Sequence, residues 1–264
     1  MRRALATAAR FKNRIRSGEA ALGAQIGLSD PAIIEILGRV GYDWLVVDTE
    51  HSASNTLTVQ AMLQAGAQTE ALVLARVLRL DEDEIRRFLD IGSPGIVCPF
   101  INTGEDARRL VRAGRYPPHG IRGYGPRRAG TFGLDGTEYF ETANDAILSI
   151  PIIESKEAIE NIEAIVATEG IDAILIGPMD LSISLGIFMQ FDDPIYLAAI
   201  EEVRRACRKH GKAMGTGVYS TEHARRCAAE GDQLLLIGGD DGFLSAEALR
   251  VLEDVRAVAR AARR

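Results

Sequence analysis

Cysteine is scarce: Cys98, Cys207 and Cys227 are the whole complement in 264 residues. Three thiols, odd in number and far apart, exclude a disulfide framework and lack the paired spacing of a zinc site. They suit a reducing compartment, so the expected location is cytoplasmic. Apolar runs are short. None approaches the ~20 residues of a membrane span, and no secretory signal is read. Basic charge is not in excess either: 31 Lys and Arg against 37 Asp and Glu give a formal net charge of −6, which disfavours a nucleic-acid partner. What remains, 47% hydrophobic and 26% charged residues, is the composition of an ordinary globular enzyme.

The charge is unevenly spread. Residues 1–16 carry Arg2, Arg3, Arg10, Lys12, Arg14 and Arg16 and no acid. A transit peptide has that composition, but Leu5, Ala8, Phe11 and Ile15 recur on one side of a helix, which favours an amphipathic first helix over residues 1–17. Beyond it, apolar runs at 20–27, 43–48, 71–77, 95–100, 149–154, 172–177, 212–217 and 232–238 read as strands. They are continuous rather than alternating, as in a parallel sheet buried on both faces. Between them lie amphipathic stretches such as "DPAIIEILGRV" and "DEDEIRRFLD", several opening on Asp, Ser or Thr and closing on Gly, which are helix start and stop signals. Eight strand-then-helix units predict an α/β fold, one (β/α)₈ TIM barrel with its core at 18–242 and a C-terminal helix at 243–264. An open doubly wound sheet is disfavoured because no G-x-G-x-x-G follows the first strand.

In such a barrel, polar residues at strand C-terminal ends build the active face. The second strand delivers Asp48, Glu50 and His51 in "VVDTEHSASN"; the third delivers Arg76, the fifth Glu154, and the sixth Asp180 just past "IGPM". Glu154 and Asp180 end adjacent strands, and two such carboxylates suit a hard divalent ion, Mg²⁺ or Mn²⁺, with Co²⁺ a further candidate. The rival reading makes Glu154 a paired rim carboxylate and Asp180 a helix N-cap. Arg76 suits a substrate carboxylate, or a structural ion pair to Asp48 or Glu50. His51 is the one histidine on a predicted strand end, hence a candidate general base; an ordinary buried histidine is the alternative. His210 and His223 fall on helical surface stretches. Asp90, closing "RRFLD", is a candidate to orient the imidazole, although it should lie at the far rim of its own barrel and reach a site only from a neighbouring subunit. The Gly-, Pro- and Arg-rich connection at 113–137 is placed at the active rim, because long loops in compact domains are commonly functional.

These stretches together resemble the HpcH/HpaI class II aldolases, which are metal-dependent pyruvate aldolases. The resemblance is carried by "DWLVVDTEHSASN", "LARV", "LDIGSPGIVCPF", "RYPPHGIRGYGPRRAG", "IIESKEAIENIEAI" and "GIDAILIGPMDLSISLG", from about Gly18 to Gly242. It implies that Glu154 and Asp180 ligate the metal, that Arg76 contacts pyruvate, that His51 is the base and that Asp90 orients it. It further implies that backbone amides at Met179 and Asp180 hold the pyruvate carboxylate, Pro178 having no N–H to give. Glu50 and Asp48 would then hold metal-bound waters.

Two departures stand out. Ile152 occupies a position where many relatives carry glutamine, and the loop "GYGPRRAG" is shorter than in familiar members. That loop offers Tyr124, Arg127 and Arg128 as a candidate aldehyde subsite. Lys156 raises the alternative of a Schiff-base aldolase, but it sits at a helix start beside Glu157 and Glu160, as a surface lysine does; Lys212 begins its strand, at the wrong end of the barrel. The expected function is cleavage of a 4-hydroxy-2-oxo acid to pyruvate and an aldehyde. Oxo-acid decarboxylation, CoA-thioester cleavage and a non-catalytic barrel subunit are the competing readings. The C-terminal segment carries Leu249, Leu252, Val255 and Val258 at helical spacing. It reads as the barrel's eighth helix, while the resemblance implies a helix exchanged between subunits of a homo-oligomer, a hexamer in the family.

Overall fold

A computed structural model describes residues 2–262, with side chains from Ala4 onward. The side chains of Arg2 and Arg3, and the ends of the predicted helical spans at 1 and 263–264, lie outside the described residues. Eight strands, β1 (Ala21–Ile26), β2 (Trp44–Asp48), β3 (Leu72–Arg76), β4 (Gly95–Cys98), β5 (Leu148–Ile153), β6 (Ala173–Ile176), β7 (Ala213–Val218) and β8 (Leu234–Gly239), close into one barrel in chain order. Every pair is parallel, including β8 against β1. The predicted TIM barrel is the observed fold.

Helix α1 (Arg2–Arg16) precedes the barrel; α2 (Pro31–Val40), α3 (Thr56–Gly66), α4 (Glu82–Asp90) and α5 (Gly104–Gly114) follow the first four strands. A further helix, α6 (Gly136–Ala146), interrupts the long connection into β5. Then come α7 (Lys156–Glu160) and α8 (Ile162–Val166) after β5, α9 (Pro178–Ser184) and α10 (Pro194–His210) after β6, α11 (Thr221–Ala229) after β7 and α12 (Asp240–Ala261) after β8. Their starts follow the capping chemistry in the sequence. The Asp30, Asn55 and Asp81 carboxylate or amide oxygens accept the first free N–H groups of α2, α3 and α4, and Thr103 with Asp106 forms a capping box on α5.

Two apolar cores result. One lies between strands and helices; the other fills the barrel and is stoppered by α1, whose Ala8, Phe11 and Ile15 pack with Trp44, Leu74 and Leu148. The predicted apolar side of that first helix is thus a buried face. Trp44 is fully buried and donates its indole N–H to the Ala21 carbonyl at 3.2 Å; truncating such a residue to alanine costs roughly 3–5 kcal/mol.

Three expectations are corrected. The C-terminal helix does not pack as an eighth barrel helix: Leu249, Leu252, Val255 and Val258 on α12 are 46–70% exposed. Only its start is anchored, where the buried Asp240 carboxylate accepts N–H groups of Gly27 and Leu28 at 2.8 and 3.0 Å. The Gly/Pro/Arg connection is not at the rim of strand C-terminal ends. Because α5 carries the chain back across the barrel, the loop runs beneath the strand starts, where the Arg128 guanidinium donates to the Ile91 and Leu63 carbonyls. His223 is buried rather than on the surface. Among the described residues, no helix is long and apolar enough to cross a membrane.

Candidate active site

Asp48 and Arg76 stand directly opposite one another in the β2–β3 register, so the fold itself sets a carboxylate beside a guanidinium. Arg76 Nη1 lies 3.6 Å from Asp48 Oδ2, its Nη2 forms an ion pair with Glu50, and the same nitrogen is 4.0 Å from Glu154 Oε2. The sequence alternative of an ion pair to Asp48 or Glu50 is therefore real, and it coexists with a position inside the cavity. Asp48 is a structural hub: Oδ1 accepts the backbone N–H of Glu50 at 2.9 Å and of His51 at 3.2 Å, and Oδ2 accepts from Gln25 at 2.6 Å. A fully solvated turn would not need this; here it fixes the direction of the two side chains that follow.

Glu154, just past β5, is almost completely buried and accepts the Phe100 N–H at 2.7 Å. Phe100 has a φ of 50°, the left-handed backbone that turns this amide inward after β4. Gly177 is required by close approach: a Cβ there would sit 2.6 Å from Glu154 Oε2. Burial pushes Glu154 up to about 7, and the Glu50 and Asp180 carboxylates push the same way, against the Phe100 amide and Arg76. Burial also raises Glu50, with Arg76 opposing. Asp180 is half-buried in the first turn of α9, whose N-cap position belongs to Gly177, so the N-cap reading of Asp180 falls away. Asp48, Glu50 and Glu154 therefore crowd one guanidinium, with the Asp180 charge felt by Glu50 and Glu154, and Glu50 Oε2 and Arg76 Nε make no directed hydrogen bond among the described residues.

His51 is not a buried histidine. Its side chain is 61% exposed at the cavity edge, with Nε2 3.8 Å from Glu50 Oε2. Arg76, His51, Glu154, Met179 and Asp180 all line one cavity of about 440 Å³ at the strand C-terminal ends. The fold brings these predicted residues together, with Glu50 and Asp48 beneath them.

Asp90 and the loop residues it does not bring together. Asp90 ends α4 at the opposite rim and pairs with Arg122 at 2.7 Å. Tyr124 packs on Tyr116 and Phe140, and Arg128 is buried on carbonyls. Tyr124, Arg127 and Arg128 are no part of this chain's own cavity, because α5 and the strand starts separate them from it. Lys156 is a surface lysine 3.8 Å from Glu160, and Lys212 donates to the Ile171 carbonyl at the strand starts; neither reaches the cavity. Sequence reasoning missed Gln25, Phe100, Gly177 and Tyr219. A polar residue inside an apolar strand run was a readable signal for Gln25, whereas the others depend on backbone geometry or packing.

Fold and site define a (β/α)₈ barrel with an acid-rich, arginine-centred cavity at its C-terminal face. The sequence pattern of the HpcH/HpaI aldolase/citrate lyase family matches residues 23–247, and the chain belongs to that family. It is 37% identical over 236 residues to a pyruvate aldolase of Rhizobium etli, covering 89% of this chain and 92% of that protein. It is 35% identical over 236 residues to a 5-keto-4-deoxy-D-glucarate aldolase of Klebsiella pneumoniae, covering 88% and 92%. The solved structure of a family protein from Burkholderia cenocepacia superposes with a TM-score of 0.90 at 31% identity, over 94% of this chain and 99% of that one.

Proposed function

We propose that the protein is a carbon–carbon lyase, a class II aldolase that cleaves a 4-hydroxy-2-oxo acid to pyruvate and an aldehyde, reversibly. The observation that carries this reading is the surplus of buried carboxylate around Arg76. Glu154 is held unionised up to about 7 by burial and by its acidic neighbours, a donor set that a hard dication would relieve. Asp180 and Glu154 would hold that ion, Mg²⁺ or Mn²⁺ by the chemistry of an all-oxygen set. When bound, the ion supplies Lewis acidity to the oxo acid. Among the described residues no group of three or more His, Cys, Asp or Glu forms a protein-only metal cage; two carboxylates would leave the other coordination positions to substrate and water.

The chain's own residues supply the rest. Arg76 presents a guanidinium to the negative charge of the oxo acid, its direction set by Asp48 and Glu50. His51, exposed at the cavity edge, takes the 4-hydroxyl proton; the C3–C4 bond breaks, the aldehyde forms, and the electron pair passes to the oxo acid as pyruvate enolate. Protonation at C3 then gives pyruvate. In reverse, the same base takes the pyruvate methyl proton. Asp90 orients His51 only across a subunit boundary, since within one chain it faces Arg122 at the far rim. The apolar side of α12 left exposed supports a homo-oligomer in which this helix docks on another subunit.

Deuterium uptake into the pyruvate methyl group in D₂O tests this reading. Exchange should require Mn²⁺ or Mg²⁺, stop with chelator, vanish in Glu154→Ala and fall in His51→Ala. A folded, metal-loaded protein that exchanges nothing would sink it.

A further inference from the structure

Asp48 is 1% exposed, so the protein itself has to satisfy its carboxylate oxygens. Oδ1 takes the backbone N–H groups of Glu50 and His51 at 2.9 and 3.2 Å, two donors on an oxygen with two lone pairs. Oδ2 has two neighbours that could donate. Gln25 Nε2 lies at 2.6 Å and Arg76 Nη1 at 3.6 Å, so a neutral amide holds the bond while the guanidinium stands outside hydrogen-bonding distance. Charge alone would favour the opposite order, since arginine and carboxylate prefer direct, two-pronged contact. Anchored at both oxygens, the carboxylate cannot swing toward Arg76.

The backbone aims Gln25 at this task. It is the one polar side chain of β1 and stands level with Val46, two residues before Asp48, in the β1–β2 register; alternate residues of a strand share a face. On its other side the β1–β8 pairing shifts register between Gly23 and Gln25, the kind of irregularity that re-aims a side chain. An ionised carboxylate only accepts, so the amide nitrogen has to be the atom that faces it. Gln25 and Arg76 line the same cavity. Arg76 is fixed at its backbone, where its carbonyl accepts the Thr49 N–H and hydroxyl at 3.2 and 2.6 Å. Only its side chain is left to respond when the neighbours of Asp48 change.

We propose that Gln25 is a positioning residue: by occupying Asp48 Oδ2 it holds Asp48 off Arg76 and leaves Arg76 Nη1 for the carboxylate of the oxo acid. This rests on the aldolase reading, in which Arg76 meets that carboxylate. Nη2 is paired with Glu50, so Nη1 is the arm of the fork that Gln25 keeps available. Without the amide, the buried Oδ2 loses its donor and takes the nearest remaining one, Arg76 Nη1. The guanidinium then closes onto its own protein, and the oxo acid has to break that pair in order to bind.

The test removes the donor and keeps the length, as Gln25→Met, with Gln25→Leu as a second donor-free variant. In methyl-proton exchange by the full chain with Mn²⁺, each should raise KM for pyruvate by about tenfold and leave kcat within about threefold, the signature of lost uniform binding. Mn²⁺ affinity in calorimetry should stay at the wild-type value. In an Asp48→Asn background the charge that captures Arg76 is gone, so Gln25→Met should change KM by less than about twofold; a merely structural role would give the same penalty in both backgrounds. A crystal structure of metal-free Gln25→Met should show Arg76 Nη1 closed onto Asp48 Oδ2 at roughly 2.9 Å. A gap that stays open, a KM that does not move in folded variants, or an equal penalty beside Asp48→Asn overturns the inference. Wild-type exchange with any of these results leaves the aldolase reading standing; no exchange by the wild type overturns that reading, and this inference with it.

Discussion

The two ends of the barrel carry opposite charge arrangements. At the strand C-terminal end, Asp48, Glu50 and Glu154 gather around Arg76, and Asp180 adds its charge beside Glu154. At the strand N-terminal end, the buried Asp172 is surrounded by Lys12 at 3.0 Å, Arg16 at 3.4 Å and Arg115 at 3.9 Å. Backbone polarity explains the difference. Each helix of a parallel barrel starts at the first end and finishes at the second, so free N–H groups face one set of side chains and free carbonyls the other. Carbonyls of Asp145 and Ile147 accept from Lys12, and Ile147 also from Arg115. Amides of Phe100, Gly27 and Leu28 donate to Glu154 and Asp240. The cationic end is tied down by protein atoms and serves stability. The anionic end keeps a surplus of negative charge, which suits it to a dication and an oxo acid.

Substitutions at each end should separate these roles. Removing Glu154 as Glu154→Ala should abolish metal-dependent pyruvate exchange, by on the order of 10³-fold or more, while the melting temperature of the metal-free protein holds or rises, since a buried carboxylate among acids is lost. A marked loss of stability would contradict the division. Asp172→Asn should do the reverse. Stranding Lys12 and Arg115 without their carboxylate should cost roughly 3–5 kcal/mol in denaturant unfolding, with kcat per folded molecule unchanged.

Smaller effects sharpen the comparison within the anionic end. Gly177→Ala displaces Glu154 without deleting it, and should weaken Mn²⁺ affinity by about 10–100-fold in calorimetry. The smallest effect concerns His223, whose ring stacks on that of Tyr219 with centroids 3.9 Å apart. Burial lowers His223 below its usual 6.5. A histidine depressed by folding contributes stability that is complete above 6.5 and is lost as pH falls. Wild type should therefore weaken between pH 7.5 and 5 more steeply than His223→Gln, measured by urea unfolding at both pH values. Equal slopes would show that the stacked imidazole is not resisting protonation.

Much of this was legible in the chain. The apolar runs and capping residues marked the eight strands to within about two residues of the observed bounds, because strands buried on both faces must be continuously apolar. Asp48, Glu50, His51, Arg76, Glu154 and Asp180 were visible because a charge at the end of such a run needs a reason. Tyr219 and His223 were not, since nothing in "GVYSTEH" says that the two rings stack or that the imidazole is buried. The loop with Tyr124, Arg127 and Arg128 was misplaced because its composition signals irregular backbone but carries no direction. Only the path of α5 sends it under the barrel.

Sequence by itself determined the barrel, its strand order and the residue types that its C-terminal face would carry, since periodicity and desolvation cost are local properties. Tertiary structure alone decided which charges meet. It placed Asp48 against Arg76 through strand register, turned the Phe100 amide onto Glu154, sent Asp90 to the far rim with Arg122, and left the apolar side of α12 uncovered. Electrostatic energy depends on distances between residues remote in the chain, and those distances exist only once the sheet has closed.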